Sequence, residues 1–415
     1  MDAKPKNRNR LTIFILISMV AGVILGYIVH KQSTPEFITK FSTNIKLLTT
    51  IFLRLVQMII APLVFSTLVV GIAKLGDLKT VGRIGGKALL WFVSASLVSL
   101  LLGLLLVNIF HPGTAVDLSV ADTAGAKDLI GKTQEFSIQK FVEHVFPKSV
   151  FDAMANNEIL QLVVFSIFFG VAATAIGDYA KPVVKALEGV SHIILKMVGY
   201  VMNFAPLGVF GAIAAVIATK GLEIFNFYGQ YLLYFIIGIF LLWAILLSVG
   251  FLILRHRVPA LLKRIAQPLL IAFSTTSSEA VFPKLTEELE RFGCKDKIVA
   301  FTLPLGYSFN LDGSMMYMTF ASLAIAQAYG IHMDIATQLT MLLVLMLTSK
   351  GIAGVPRASL VVVTATCSMF GIPPEGIALI LPIDHFCDMF RTATNVLGNA
   401  LATSAVSKWE GELSE

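Results

Sequence analysis

IFNFYGQYLLYFIIGIFLLWAILLSVGFLIL, residues 224–254, contains no Asp, Glu, Lys or Arg. A helix needs about 20 apolar residues to cross about 30 Å of hydrocarbon, so this stretch is long enough to span a bilayer. Similar uncharged runs occupy residues 11–30, 55–73, 88–116, 159–177 and 197–219. Because hydrocarbon offers the backbone no hydrogen-bond partners, such runs favour helices. The sequence therefore predicts an all-α polytopic membrane protein.

The charged residues lie at the ends of these runs and indicate how the chain crosses the membrane. Of the 415 residues, 56% are hydrophobic and only 14% are charged. Lys and Arg precede the first run at residues 4–10 and follow the sixth at 255–264, whereas the loop 111–127 has few. Cytoplasmic loops are enriched in Lys and Arg, so we expect a multi-pass protein of the plasma (inner) membrane with both termini cytoplasmic. The net charge of +6 then reflects topology and forms no basic stripe for nucleic acid.

The second half of the chain is organised differently, because its uncharged runs at 265–278, 298–311 and 335–349 are too short to cross a bilayer. Hydroxyl- or glycine-rich breaks, STTSSEAVFP (274–283) and TSKGIAGVP (348–356), are each followed by a polar-studded segment. Interrupted apolar segments in corresponding positions of two halves point to a transporter binding site near the membrane midplane. The alternative is two ordinary kinked helices in each half.

The last apolar segment carries five polar side chains at spacings of 4, 3, 4 and 4, namely Asp384, Asp388, Arg391, Asn395 and Asn399. Residues at these spacings lie on one face of a helix. A charge at the bilayer centre costs at least about 2.5–3.5 kcal/mol, so such a row indicates a functional site. The alternative is an Asp388–Arg391 ion pair that only holds helices together, which leaves the amides unexplained.

Asn310 and Asp312 form a second polar group, in NLDGS at 310–314. On an unbroken helix the two side chains would not face the same way, so we expect an unwound turn at Gly313 that lets them converge. Carboxylate, amide and freed carbonyl oxygens together suit Na⁺. The alternative is a lone Asp312 neutralised by a nearby lysine.

Other classes of protein are not favoured by the sequence. Cys294, Cys367 and Cys387 have no metal-site spacing, so we interpret them as packing residues and predict no cofactor. An intramembrane protease would need a G-x-S-x-G motif or a GxGD context, and Asp312 and Asp388 have neither. A channel would show a repeated pore-lining pattern. We therefore expect a transporter and not an enzyme.

Four motifs, STTSSEAVFP, GYSFNLDG (306–313), SKGIAGVPRAS (349–359) and DMFRTATNVLGN (388–399), resemble the glutamate-transporter family in order and distance. That family is the dicarboxylate/amino acid:cation symporters, and the resemblance is greatest to its bacterial proton/sodium–glutamate members. RLVQMIIAPLVFSTLVVGI at 54–72 resembles the family's second helix. The likeness extends from about residue 12 to the SKWEGEL tail.

The resemblance implies eight transmembrane helices and two re-entrant helical hairpins, assembled as a homotrimer that works by an elevator motion. The implied scaffold comprises helices 1 and 2 (1–75) and helices 4 and 5 (113–220), the latter at the trimer interface. The implied transport domain comprises helix 3 (76–112), helix 6 (221–256) and a core at 257–415 with hairpin 1, helix 7, hairpin 2 and helix 8.

The resemblance also assigns roles to individual residues. Arg391 would grip the substrate side-chain carboxylate, which a guanidinium suits well, and Asp388 would pair with the α-ammonium. Asn395 and Ser314 would bind the α-carboxylate. The implied substrate-binding residues are Ser278, Ser314, Val355, Asp388, Arg391, Thr392 and Asn395, with Ser278 and Val355 contributing through their backbones; Asn310, Asp312, Asn395 and Asn399 are candidate sodium ligands.

Asp388 bears on the substrate, because C4-dicarboxylate carriers of the family typically lack an acid there. With both Asp388 and Arg391 present, glutamate or aspartate is the expected substrate, and a C4-dicarboxylate:cation symporter is the alternative. Asn399 replaces an Asp that ligates sodium in strictly sodium-driven relatives, and Phe92 and Ala95 replace a Tyr and a Thr. Glu279 occupies a position where the sodium-driven archaeal pattern has a hydroxyl.

We therefore expect proton coupling, with Glu279 or Asp312 as the proton carrier and sodium optional. A carboxylic acid near the tip of a desolvated hairpin is suited to take up and release a proton near neutral pH. The alternative for Glu279 is a solvated hairpin residue, and the alternative for the whole protein is a purely sodium-coupled glutamate or aspartate transporter.

Overall fold

The computed structural model describes residues 8–75, 78–115, 142–143, 145–222, 224–349 and 358–414. Within these ranges the regular structure is helical, apart from one isolated antiparallel bridge between Cys294 and Leu413. The helices are α1 (Arg8–Gln32), α2 (Pro35–Leu75), α3 (Leu78–Phe110), α4 (Val150–Ala155), α5 (Ile159–Ala175), α6 (Lys181–Val201), α7 (Ala205–Lys220), α8 (Ile224–Leu254), α9 (Val258–Thr275), α10 (Phe282–Phe292), α11 (Asp296–Phe309), α12 (Asp312–Ala328), α13 (Ile335–Thr348), α14 (Ala358–Met369) and α15 (Ile377–Trp409). The all-helical class predicted from the sequence is confirmed.

Among the described residues, five stretches are long and apolar enough to cross a membrane: Leu11–Gln32, Pro35–Ala73, Lys79–Phe110, Gly177–Lys220 and Tyr228–Thr275. Three shorter apolar helices accompany them at Ile159–Ala175, Ile335–Thr348 and Ser359–Met369. Several apolar helices thus bear out a membrane protein. The number of eight transmembrane helices stays a prediction.

The helices pack in two sets. In the first, α1 and α2 lie against α7, and α2 also contacts α5 and α6. In the second, α12 and α15 form the centre, and α3, α8, α9 and α11 pack around them. The two sets meet mainly where α11 lies against α2 and α5.

Burial distinguishes the central helices from the peripheral ones. In α12, every residue from Asp312 to Ala326 is buried, and α15 is buried over most of its length. Large apolar side chains of α1, α3 and α8, such as Phe14, Leu90 and Phe240, are exposed. Exposed apolar side chains on long helices are what a lipid-facing surface requires. The two helices that carry these polar residues are therefore enclosed by other helices over most of their length.

The C-terminal residues connect three parts of the second set. The backbone N–H of Lys295 donates to the Glu412 carbonyl (3.1 Å), and the N–H of Ser414 donates to the Gly293 carbonyl (2.9 Å). Arg257 donates to the carbonyls of Ser414 (2.6 Å) and Phe292 (2.7 Å). These bonds tie the end of the chain to the turn between α10 and α11.

Glu410 links these C-terminal contacts, which we call the C-terminal clasp, to α3. Its carboxylate accepts hydrogen bonds from Arg83 (Nη2, 2.8 Å) and Lys87 (Nζ, 2.6 Å). The hydrogen bonds from Arg83, and after them those from Lys87, hold the pKa of Glu410 below its usual value. A carboxyl group whose pKa is lower in the folded protein adds stability above its unfolded pKa of about 4.3 and loses it as the pH falls through the folded value.

We expect Glu410→Gln to lower the free energy of unfolding by about 1 kcal/mol at pH 7, because charge-assisted hydrogen bonds are lost but Arg83 is half-exposed. The measurement is the melting temperature of the purified protein in detergent. The difference between variant and wild type should shrink as the pH is lowered through about 4.

Glu375→Gln is the matched control, since Glu375 is exposed near the other end of α15. Its melting temperature should equal that of the wild type at every pH. A Glu410→Gln protein as stable as the control would contradict the role assigned to the clasp.

Candidate functional site

The break between α11 and α12 lies at Asn310 and Leu311, which have non-helical backbone angles (φ −118°, ψ 67° and φ −104°, ψ 61°). The sequence predicted an unwound turn at Gly313, and this position is wrong, because Gly313 is the second residue of α12. Gly313 serves close approach instead: a Cβ there would collide with the backbone carbonyl of Arg391. α12 and α15 can therefore touch backbone to backbone at the point where the polar residues meet.

Arg391 is at the centre of a buried ion cluster on α15. Its Nε donates to Asp388 Oδ1 (2.8 Å) and its Nη1 donates to Asp384 Oδ1 (2.9 Å). The Thr392 hydroxyl also donates to Asp388 Oδ1 (2.9 Å). The i,i+3 pair anticipated from the sequence is thus present, and Asp384 adds a second carboxylate, so two acids face one guanidinium.

Tyr317 of α12 completes the cluster from the opposite side. Its hydroxyl donates to Asp384 Oδ1 (2.7 Å), and the guanidinium of Arg391 lies 4.4 Å from its ring centroid. A cation over an aromatic face is stabilised electrostatically, so Tyr317 and Asp384 together fix the orientation of Arg391.

Asp388 is the accessible member of the cluster. Its side chain is 22% exposed, whereas those of Arg391 and Asp384 are 3% and 5% exposed. A carboxylate at the rim beside a buried guanidinium offers both signs of charge to one ligand.

One turn further along α15, Asn395 pairs with Ser314 at the start of α12. The Ser314 N–H donates to Asn395 Oδ1 (3.2 Å), and Asn395 Nδ2 donates to the Ser314 hydroxyl (3.0 Å). Both residues are buried. The two positions that the sequence predicted to act together are therefore in direct contact.

Asn310, Asp312 and Asn399 form the next layer. Asn310 Nδ2 donates to Asp312 Oδ2 (3.2 Å) and to Asn399 Oδ1 (3.4 Å), and all three side chains are buried. Asn310 Oδ1 has no hydrogen-bond partner. One carboxylate and two amides, with a buried amide oxygen left over, are the kind of oxygen set that suits a hard monovalent cation. The assignment of these residues as sodium ligands stays a prediction. Among the described residues, no cluster of three His, Cys, Asp or Glu side chains could hold a metal ion.

Phe92 of α3 borders this layer. Its ring lies 3.6 Å from the position that a Cβ on Gly306 would take, and the same Cβ would collide with Asn399 Oδ1. An apolar ring therefore lies beside the amide layer. Strictly sodium-driven relatives have a Tyr, with its hydroxyl, at this position. Ala95, one turn later, is buried.

Hairpin 1 consists of α9, a turn and α10. Thr276 takes the left-handed conformation (φ 52°) that ends α9, and a short 3-10 turn follows at Glu279–Val281. Phe273 packs edge-to-face on Phe390 (5.0 Å between centroids), which holds the end of α9 against α15. Ser278 is half-buried in the turn, with its carbonyl accepting from Val281 N–H (3.2 Å).

Two further assigned residues have different outcomes: one is not among the described residues, and the other lies away from the central cluster. Val355 and the GIAGVP segment lie outside the described residues. Glu279 is half-buried, and the turn that it begins packs against α2, so it faces the first set of helices. Asp384 belongs to the polar row predicted from the sequence but was not assigned to the site, and Tyr317 gave no signal in the sequence.

Comparison with known proteins gives a consistent result. Residues 11–409 match the model of the sodium:dicarboxylate symporter family. The chain is 39% identical to the proton/sodium-glutamate symport protein of Geobacillus stearothermophilus over 405 residues, covering 97% of this chain and 94% of that protein. It is also 39% identical to the C4-dicarboxylate transport protein of Acinetobacter baylyi over 407 residues, covering 96% and 91% of the two chains.

We expect Gly398→Ala to destabilise the protein, because a Cβ at this position would collide with Asp312 Oδ2 in the buried amide layer. Overpacking a tight site costs about 1–3 kcal/mol, measurable as a lower melting temperature in detergent. Gly82→Ala is the control, since nothing lies within 4 Å of a Cβ there and alanine favours the helix. Equal melting temperatures for the two variants would contradict the packing described for Asp312.

Proposed function

Because this chain belongs to the sodium:dicarboxylate symporter family, we propose that it is a secondary active symporter for acidic amino acids, glutamate or aspartate. Uptake is driven by a proton gradient, with sodium as an optional second coupling ion, and proceeds by an elevator mechanism. The observation that carries this proposal is the pairing of Asp388 with Arg391 in one buried cluster. The family and the relatives are transporters, so the sequence-based prediction against an enzyme agrees with them.

The charges of the cluster match those of an acidic amino acid. The side-chain carboxylate of the substrate takes the place of Asp388 on Arg391, where a bidentate contact is favourable. The freed Asp388 then pairs with the α-ammonium group. Asp384 and Tyr317 keep hold of the guanidinium while its partner changes, because they contact it on the buried side.

The polar groups next to the cluster serve the other end of the substrate. Ser314 and Asn395 bind the α-carboxylate by turning their reciprocal hydrogen bonds toward it. Thr392 stays with Asp388 and fixes its orientation. Ser278 contributes through its backbone, and Val355 has the same assignment.

Counting charges explains why a cation must accompany the substrate. With Asp312, Asp384 and Asp388 ionised, the buried region holds three negative charges and one positive charge on Arg391. An acidic amino acid adds one more negative charge, and burying uncompensated charge costs several kcal/mol. A proton on Asp312, or a sodium ion at Asn310, Asp312, Asn395 and Asn399, offsets the charge that the substrate adds.

The elevator mechanism divides the chain into a static and a moving part. Residues 1–75 and 113–220 form the scaffold and the homotrimer interface, and residues 76–112, 221–256 and 257–415 move. The packing of α1 and α2 on α5–α7, apart from the set around α12 and α15, supports this division. We place the protein in the plasma (inner) membrane, in contact with lipid, with cytoplasmic termini.

Two alternatives have specific support. Uptake of C4-dicarboxylates is favoured by the equal identity to a C4-dicarboxylate transport protein, although Asp388 argues against it because a dicarboxylate has no ammonium group. Purely sodium-coupled uptake is favoured by the spare oxygen of Asn310 in the amide layer.

The substrate is tested by uptake of radiolabelled glutamate, aspartate and succinate into proteoliposomes. We expect the two amino acids to be taken up, and Asp388→Asn to lower kcat/KM for glutamate about 100-fold or more. Removing one partner of a buried charge pair costs about 2–5 kcal/mol, whereas succinate does not need Asp388. Asp178→Asn, on an exposed turn, is the control. Preferential succinate uptake by the wild type would overturn the assignment.

The coupling ion is tested by imposing a pH gradient and a sodium gradient separately. We expect glutamate uptake with an inside-alkaline pH gradient in the absence of sodium, and loss of this uptake in Glu279→Gln. A strict requirement for sodium would show that the amide layer supplies the coupling site. Unchanged pH-driven uptake in Glu279→Gln would assign the proton to Asp312.

A further inference from the structure

The amide side chains of Asn108 and Gln338 join two helices that are far apart in the chain. Asn108 lies in the last turn of α3, and Gln338 lies in the first turn of α13. Asn108 Nδ2 donates to Gln338 Oε1 (2.7 Å), and Gln338 Nε2 donates to Asn108 Oδ1 (3.3 Å). Each amide therefore both donates to the other and accepts from it.

The remaining N–H groups of the two amides bond to backbone carbonyls nearby. Asn108 Nδ2 also donates to the Leu104 carbonyl (2.9 Å), and Gln338 Nε2 also donates to the Met333 carbonyl (2.9 Å). Gln338 is buried and Asn108 is half-buried. An amide nitrogen has two hydrogens to donate, and both are used on each side chain. A polar pair that is fully hydrogen-bonded in this way holds one defined geometry.

This pair is also what connects α13 to its neighbours through polar groups. The hydroxyls of Thr340, Thr348 and Ser349 bond to carbonyls of α13 itself. Within the part of the chain that the structure describes, the pair of Asn108 and Gln338 is the side-chain hydrogen bond between α13 and another helix.

Beyond its first turn, α13 is held by apolar packing. Met341, Leu342 and Leu345 are buried against the neighbouring helices. The outer face of the helix is apolar and exposed, at Ile335, Leu339, Leu343 and Leu347. Apolar contacts are not directional, whereas hydrogen bonds are. The first turn of α13 is therefore fixed in position more strictly than the rest of the helix.

The end of α3 is a firm base for this connection, because it is bonded to α12. Gln327, near the end of α12, donates to the Val107 carbonyl (3.0 Å) and accepts from the Gly113 N–H (3.2 Å). A Cβ on Gly103 would collide with the Met316 carbonyl, so α3 and α12 lie backbone to backbone. The position of Gln338 is thus set relative to α12, which carries Ser314 of the candidate site.

We propose that Asn108 and Gln338 are positioning residues for the substrate site: they hold the first turn of α13 to α3, and this connection stays closed throughout transport. It rests on the proposed function, because α13 is placed as the first arm of hairpin 2. The helix ends at Thr348, directly before the SKGIAGVPRAS motif that contains Val355. Neither amide is assigned to the substrate itself.

The first experiment closes the connection chemically. The double variant Asn108→Cys/Gln338→Cys is treated in detergent with a short bis-methanethiosulfonate reagent, and mass spectrometry confirms the bridge before reconstitution. A cavity of about 190 Å³ borders both positions and admits the reagent. The native cysteines, Cys294, Cys367 and Cys387, are buried. The two single cysteine variants, treated in the same way, are the controls for modification alone.

We expect the bridged protein to take up radiolabelled substrate at the rate of the unbridged double variant, because the two positions do not separate during transport. The substrate is whichever of glutamate, aspartate and succinate the wild type takes up. Loss of uptake on bridging that is reversed by reduction would overturn the proposal, since the two positions would then have to part.

The second experiment tests positioning through KM and kcat. We expect Gln338→Leu to raise the KM for uptake about tenfold, the factor that corresponds to losing a buried hydrogen-bonded pair. The apparent affinity falls with the fraction of molecules in which α13 is correctly placed, so kcat should change little. The exchange Asn108→Gln/Gln338→Asn keeps both amides and should restore the KM.

Gln230→Leu is the matched control, since Gln230 is an exposed amide that bonds Tyr234 within its own helix. Its KM should equal that of the wild type. A wild-type KM in Gln338→Leu, or an equally raised KM in the exchanged variant, would contradict a positioning role for the pair.

A third measurement uses no substrate, so it separates failure of this proposal from failure of the proposed function. Asn108→Leu and Gln338→Leu each leave one amide without its partner, whereas the double variant removes both. We therefore expect the double variant to melt at a higher temperature in detergent than Gln338→Leu alone. Additive decreases would refute the connection, whether or not a transported substrate has been found. A non-additive result without uptake of any of the three compounds would count against the proposed function instead.

Discussion

The structure depends on one constraint: polar side chains that enter a hydrocarbon layer must find their partners inside the protein. The polar face of α15 carries a row of such side chains, and the broken segment between α11 and α12 supplies hydrogen-bond partners for them. Asp384, Arg391 and Asn395 bond to each other or to α12, and Asn399 bonds to Asn310. Because these bonds can form only at the centre of a helical bundle, they explain why α12 and α15 are the most buried helices.

The same constraint explains what the sequence could predict. Uncharged runs indicated helices, and the spacing of polar residues on the last helix indicated one functional face, because both patterns follow from local geometry. The contacts of Asn310, Asp312, Ser314, Asn395 and Asn399 agree with the grouping expected from their motifs. The comparison with known proteins confirmed the family that these motifs indicated.

Other features could not be predicted, because they arise from packing between segments far apart in the chain. In the sequence, Tyr317 is only an aromatic residue of an apolar helix. The fold brings it to Asp384, 67 residues away, which accepts its hydrogen bond. The helix break was expected at Gly313 so that Asn310 and Asp312 could converge, yet it lies at Asn310 and Leu311, and a side chain at Gly313 would meet the backbone of α15. Glu279 was one residue of a hydroxyl-rich break, and only the fold places its turn against α2.

The C-terminal clasp has a consequence for the order of assembly. Arg257 at the base of hairpin 1 bonds to Ser414, 157 residues later, and the turn after α10 pairs with Glu412 and Leu413. A chain leaves the ribosome from its N-terminal end, so hairpin 1 enters the membrane long before these partners exist. The contacts at its base can form only after α11–α15 have been synthesised. The set of helices around α12 and α15 is thus closed by contacts between residues far apart in the chain.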